Sequence, residues 1–201
     1  MTEKKHLLDP SNNPFNLFQK WFEEAFKKEI NDSNAMNLCT VSNDFKPSSR
    51  MVLLKDYSTD GFVFYTNMNS KKGKSIIDNP NVALNFHWKS LLRQIRIEGT
   101  ITQVSDKEAN VYFNSRHEES KIGAWASKQS SELQERKNLE DEIKYFKKKF
   151  KNEIITRPKH WTGFRVCPNL FEFWQDMPFR LHDRLEYTRV KDKWIARKLY
   201  P

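Results

Sequence analysis

The stretch Gly61–Val104, GFVFYTNMNSKKGKSIIDNPNVALNFHWKSLLRQIRIEGTITQV, decides the fold. Gly61–Asn67 follows the turn-like Ser58-Thr59-Asp60 and is rich in β-branched and aromatic residues, so it reads as a strand. Ser70 is placed to cap a short helix through Asp78, which Asn79-Pro80 ends. Val82–Trp88 and Leu92–Val104 are further strands, the second alternating through RQIRIEGTITQV. Helices do not alternate regularly with strands and no G-x-G-x-x-G occurs, which disfavours a doubly wound parallel sheet.

The same reading extends outward. Asn16–Ile30 has Leu17, Trp21, Phe22, Ala25 and Phe26 at helical spacing behind Pro14. Met36–Ser42 and Ser48–Lys55 are of strand type. Ser105-x-x-Glu108 is a capping box that opens a helix through Phe113. A helix is expected over Ser120–Trp125 and a long charged one over Glu132–Lys149. Trp161–Val166, Leu170–Trp174, Phe179–Tyr187 and Trp194–Leu199 complete the strands. No repeat or linker divides the chain, so residues 1–201 are expected to form one domain behind a flexible segment 1–13. The pattern predicts a mainly β fold with α additions: a small antiparallel barrel decorated by helices.

The chain has 201 residues, with fifteen Phe, six Trp and six Tyr to supply core volume despite a mean hydropathy of −0.83. No apolar run reaches membrane-spanning length and no signal peptide is recognisable, so the cytoplasm is the expected location. Cys39 and Cys167 lie in apolar runs without a C-x-x-C and are expected to be buried, reduced thiols. A net charge of +9 implies attraction to anions: nucleic acid, a membrane surface or phosphorylated small molecules. Lys147, Lys148, Lys149 and Lys151 read as the solvated face of the long helix, with no nucleic-acid-binding motif beside them.

Several groups suit anions. On a strand running from Pro178, alternation puts Arg180, His182 and Arg184 on one face, with Trp174 just upstream. Two guanidiniums around an imidazole suit a planar anion, although a solvated face with Asp183 as neighbour gives the same pattern. Ser70-Lys71-Lys72-Gly73-Lys74 sits at a helix start, where free N–H groups favour phosphate. Arg50 and Lys55 bracket Met51-Val52-Leu53-Leu54 and face opposite sides of a regular strand. Tyr112, Arg116 and Ser120 align on one face of a continuous helix and suit a second phosphate. Gln129-Ser130-Ser131 alone reads as a helix cap. No metal-ligand spacing and no G-x-S-x-G occurs. Anion-binding groups among many aromatics compose a pocket for a flat, phosphorylated, redox-capable ligand such as a flavin.

In this order, SSRMVLLK (48–55), GFVFYTN (61–67), SKKGK (70–74), RQIRIEG (93–99), YFNSR (112–116), SKIGAWASKQSS (120–131), HWTGFRV (160–166) and EFWQDMPFRLHDR (172–184) resemble the pyridoxine/pyridoxamine 5′-phosphate oxidases. The resemblance runs from about Pro14 to Pro201. It implies an FMN-binding split β-barrel, a homodimer with FMN in the subunit interface, and oxidation of pyridoxamine 5′-phosphate and pyridoxine 5′-phosphate to pyridoxal 5′-phosphate. O2 would be the electron acceptor and H2O2 the second product. By the same resemblance Arg50, Met51, Val52, Leu53, Leu54, Lys55, Tyr65, Thr66, Lys71, Lys72, Gln94, Gln129, Ser130, Trp174 and Arg184 hold FMN. Lys55, Tyr112, Arg116 and Ser120 hold the substrate phosphate, and Arg180, Leu181 and His182 lie over the pyridine ring, with Arg180 and His182 catalytic. Lys71 stands where the family often has Arg, and no Arg or Tyr precedes Pro14. Two alternatives remain: another FMN split-barrel enzyme such as a flavin reductase, which has no need for Tyr112, Arg116, Ser120, Arg180 and His182, and a basic nucleic-acid-binding protein, supported by charge alone.

Overall fold

The computed structural model describes residues 8–10 and 13–201. The expected flexible segment 1–13 falls mostly outside them. Within it, Leu8 is buried in the core and the Asp9 carbonyl accepts a hydrogen bond from the Tyr187 hydroxyl at 3.2 Å, so this part is packed down.

Helix α1 (Pro14–Lys28) starts at the Asn13 cap, whose side chain accepts from Phe15 N, and it buries Pro14, Leu17, Phe18, Trp21 and Ala25. That stripe recurs every three to four residues and lies on the sheet: the Phe18 ring sits 4.8 Å from Phe62 and 5.3 Å from Phe86. The strands are β1 (Ala35–Val41), β2 (Pro47–Leu53), β3 (Asp56–Ser58), β4 (Gly61–Asn67), β5 (Asn81–Trp88), β6 (Arg93–Gln103), β7 (Trp161–Gln175), β8 (Asp183–Val190) and β9 (Lys193–Leu199). They form one antiparallel sheet in the order β2-β1-β5-β6-β7-β4-β3, with β8 on β7 and β9 on β8. Its concave core is aromatic, with Phe62, Phe64, Phe86, Phe171 and Phe173 fully buried. The structure is the mostly antiparallel half-barrel with helices that the sequence predicts.

The remaining helices are α2 (Lys71–Asp78), α3 (Asp106–Ser115), α4 (Glu118–Ala126) and α5 (Arg136–Lys149). Ser70 caps α2 and Ser105 caps α3, as read from sequence. Phe113, Ile122, Phe150, Ile155 and Trp161 form a second core between α3–α5 and the sheet.

Several expectations are corrected. The two strands foreseen over 161–174 are one, β7, because Pro168 falls at a register shift opposite Glu98/Gly99. A Cβ at Gly99 would collide with the Cys167 carbonyl, so glycine permits the close approach. The strand foreseen from Phe179 begins only at Asp183. Pro178–Arg180 is a single tight turn in which Phe179 and Arg180 take φ of 59° and 62°, and Leu181 N–H closes it onto the Pro178 carbonyl at 3.2 Å. Alternation therefore does not align Arg180, His182 and Arg184. The long helix starts at Arg136, after an irregular 127–135 connection. Neither cysteine is buried: Cys39 is exposed and Cys167 intermediate, both free, because each side chain falls on the outward side of its strand's alternation.

Candidate active site

Where the end of β4 meets α2, α3 and α4, the sheet opens into a cavity of about 450 Å³. Met51, Val52, Leu53 and Lys55 wall one side, Tyr65, Thr66 and Lys72 another, and Tyr112, Arg116, Ser120, Gln129 and Trp161 the rest. Eleven sequence-predicted site residues thus converge from separate elements.

An aromatic stack forms one wall. Tyr65 and Tyr112 lie 3.9 Å apart and nearly parallel, and Tyr65 stacks on Trp161 at 5.3 Å. The Arg116 guanidinium covers Trp161 at 4.7 Å. Tyr112, Arg116 and Ser120 do meet, but not on a continuous helix. α3 ends at Ser115, Arg116 is extended at ψ 152°, and α4 restarts at Glu118, so a corner gathers them. Arg157 holds that corner in place, donating to Asn110 Oδ1 and to the Trp161 carbonyl, each at 2.7 Å.

The cations of the site have neutral partners. Lys72 Nζ donates to Gln129 Oε1 at 3.0 Å and to Thr66 Oγ1 at 3.3 Å. Gln129 comes from the α4–α5 connection, whose cap role is taken by Ser127, so it serves the cavity instead of the helix end. Ser130 follows at φ 70° and does not itself line the cavity. Burial, with a smaller push from Arg50, lowers the Lys72 pKa. Burial likewise lowers those of Arg116 and Arg50. Arg50 is turned onto β1, donating to Thr40 Oγ1 at 2.8 Å, Ser48 Oγ at 2.7 Å and the Leu38 carbonyl at 3.1 Å. Buried Arg116 Nη1 has no hydrogen-bond partner among the described residues. Desolvated cations without carboxylates are unfavourable unless an anion arrives. The residues present therefore fit a flat, phosphorylated ligand. Tyr65 is pushed up to about 12, first by burial and then by the charges of Glu108 and its neighbours, so it remains a neutral phenol.

Other predicted residues lie elsewhere. The Leu54 side chain is in the main core, and its backbone bonds to Asn34. Lys71, the first residue of α2, is exposed. Gln94, Trp174 and Arg184 form one cross-strand row over β6, β7 and β8. Arg184 is engaged by buried Glu172 at 2.8 Å and by the Tyr200 carbonyl at 2.9 Å. The His182 ring lies tilted against Trp174 at 4.6 Å, while Arg180 and Leu181 are exposed in the β7–β8 connection. None of these lines the cavity. Trp161 and Asn67 do line it; Asn67 is legible from sequence as an amide at a strand end beside Tyr65 and Thr66, whereas Trp161 was not singled out. The only signal for Trp161 was its place at a strand end, β7 against β4.

A family model described as pyridoxamine 5′-phosphate oxidase matches residues 22–150. A second, described as the pyridoxine 5′-phosphate oxidase C-terminal dimerisation region, matches residues 161–201. A Bartonella quintana protein named pyridoxine/pyridoxamine 5′-phosphate oxidase is 54% identical over 191 residues, covering 94% of this chain and 92% of the relative. One from Caulobacter vibrioides with the same name is 52% identical over 188 residues, covering 94% and 85%. Among solved structures, PhzG from Burkholderia lata, in complex with tetrahydrophenazine-1-carboxylic acid, superposes with a TM-score of 0.89 at 27% identity, covering 96% of this chain and 95% of that one.

Proposed function

The chain belongs to the pyridoxine/pyridoxamine 5′-phosphate oxidase family, and from that premise we infer how its own residues serve the reaction. It is an FMN-dependent oxidoreductase that converts pyridoxamine 5′-phosphate and pyridoxine 5′-phosphate to pyridoxal 5′-phosphate. The observation that carries the assignment of its site is the pair of desolvated cations, Lys72 and Arg116, facing one aromatic cavity without carboxylate partners among the described residues.

Two phosphates are expected, one from FMN and one from substrate, and two cation groups are available. Lys72, backed by Arg50 and steered by Thr66 and Gln129, takes the FMN phosphate. Lys71 adds charge at the helix start. Arg116 takes the substrate phosphate with Lys55, Tyr112 and Ser120, its unpartnered Nη1 supplying one arm of the fork. FMN, when bound, supplies the two-electron redox chemistry. The protein binds, orients and keeps water away. The Tyr65–Tyr112–Trp161 stack gives a dry wall, and the Tyr65 phenol, held neutral, donates a hydrogen bond without adding negative charge near either phosphate.

Gln94, Ser130, Trp174, Arg184, Arg180, Leu181 and His182 complete the site from a second copy of the chain, with FMN at the interface. Three features support this reading. The family model over 161–201 is described as a dimerisation region. These residues lie outside the cavity of their own chain. The neighbouring edge strand β2 leaves Met51 60% and Leu53 38% exposed, as apolar surface awaiting cover would be. Arg180 and His182 then orient the substrate ring, and Arg180 assists proton removal. O2 is the electron acceptor, H2O2 the second product, and the cytoplasm the location.

The test is direct. The purified protein should carry a flavin spectrum, sediment as a dimer, and turn both phosphorylated vitamers into pyridoxal 5′-phosphate with matched O2 uptake. A colourless protein whose apo form does not bind FMN would end this assignment.

A further inference from the structure

The β7–β8 connection holds His182 by its own side chains. The imidazole is 16% exposed, and its Nδ1 lies 3.1 Å from Asp176 Oδ1. Met177 N–H also approaches Nδ1, at 3.3 Å. A backbone amide can only donate and a carboxylate can only accept, so these two partners ask for opposite states of one nitrogen. With a proton on Nδ1 the ring donates to Asp176; without it, the ring accepts from Met177. The carboxylate contact is shorter and charge-assisted, so it prevails. In the singly protonated ring Nε2 is then the bare nitrogen.

Asp176 is itself anchored. Its N–H donates to the Leu92 carbonyl at 2.9 Å, and Gln175 Nε2 donates to the same carbonyl at 3.1 Å. Arg93 holds Gln175 Oε1 at 2.8 Å and pairs with Glu24 of α1 at 2.7 Å. The adjoining Phe179 and Arg180 take left-handed backbone angles in a turn that Leu181 N–H closes onto the Pro178 carbonyl. The carboxylate is thus presented from a fixed base rather than from a free loop.

We propose that Asp176 is a positioning residue: through Nδ1 it holds His182 in the tautomer whose bare Nε2 accepts a hydrogen bond from the amino or hydroxyl group at the oxidised carbon of the substrate. The proposal rests on the reading of His182 as a substrate contact, and the experiment separates the two.

FMN-loaded full-length protein with 15N-labelled histidine reports the tautomer directly, the His182 signal being assigned with His182→Ala. Wild type should show a protonated Nδ1 and a bare Nε2. Asp176→Ala should move the signal towards the opposite tautomer, with Met177 N–H now the donor to Nδ1. In the same sample kcat should fall on the order of 10-fold, as expected for losing a charge-assisted hydrogen bond, with FMN affinity unchanged. Asp176→Asn keeps an oxygen acceptor and should restore most of both readouts. An unchanged His182 signal in Asp176→Ala overturns the proposal, as does a changed signal with wild-type kcat. A wild-type rate in His182→Ala instead overturns the reading of His182, whatever the tautomer, and takes the catalytic half of the proposal with it.

Discussion

Replacing Arg116 with Met removes a guanidinium whose Nη1 is buried without a hydrogen-bond partner among the described residues, while keeping an apolar stem against Trp161. In the ligand-free protein the losses and gains nearly cancel. The cation–π contact of the desolvated guanidinium with Trp161 contributes about 2 kcal/mol, and relieving an unsatisfied buried donor returns about 1–3 kcal/mol. Thermal stability without ligand should therefore stay close to wild type. Substrate recognition should behave oppositely. A charge-assisted contact to phosphate is worth up to about 3 kcal/mol, which corresponds to roughly a 150-fold loss in kcat/KM. The decisive assay compares pyridoxamine 5′-phosphate with unphosphorylated pyridoxamine on flavin-saturated enzyme. Arg116→Met should erase most of the preference for the phosphorylated substrate and leave FMN affinity alone. Arg116→Lys should recover part of it, since an ammonium keeps charge but loses the planar fork. Unchanged discrimination between the two substrates, or a marked drop in melting temperature of the apoprotein, would refute the argument, because Arg116 would then be a structural cation.

Three further outcomes follow from the same geometry. Lys72→Ala should weaken FMN binding by roughly 1.5–3 kcal/mol, read by fluorescence titration of the apoprotein, and unchanged affinity would remove Lys72 from the phosphate site. Arg180→Ala should keep the flavin spectrum yet lower kcat/KM on the order of 100-fold, about 2.7 kcal/mol, in stopped-flow reduction by pyridoxamine 5′-phosphate; a wild-type rate would make Arg180 merely a solvated turn residue. The Tyr65 pKa is raised to about 12 in the folded protein against 10.0 for an ordinary phenol, so the unfolded chain sheds its proton first and stability falls as pH rises from 10 towards 12. Urea midpoints across that window should decline less in Tyr65→Phe than in wild type, and parallel declines would show that Tyr65 does not control this alkaline loss.

Local pattern made most of this protein legible from sequence. Two-residue alternation exposed β6, β-branched and aromatic residues exposed β4, the apolar stripe exposed α1, and Ser70 and Ser105 marked the starts of α2 and α3, because faces and caps are encoded within a few residues. The residue types of the two proposed phosphate sites were legible for the same reason: Lys72, Arg116, Tyr112 and Ser120 carry their chemistry wherever they are placed. Tertiary structure decided the rest. Trp161–Val166 and Leu170–Trp174 read as two strands, yet β7 runs through Pro168 because Gly99 on the neighbouring strand lets the backbones approach. Arg180 reads as one face of a strand, yet Pro178 and two left-handed residues turn the chain there. Tyr112, Arg116 and Ser120 meet at a corner that helical spacing does not describe, and Gln129 and Trp161 reach the cavity from distant elements. Spacing along the chain specifies which side of an element a residue occupies. Which elements then face one another depends on long-range register and close packing, and those are properties of the assembled sheet.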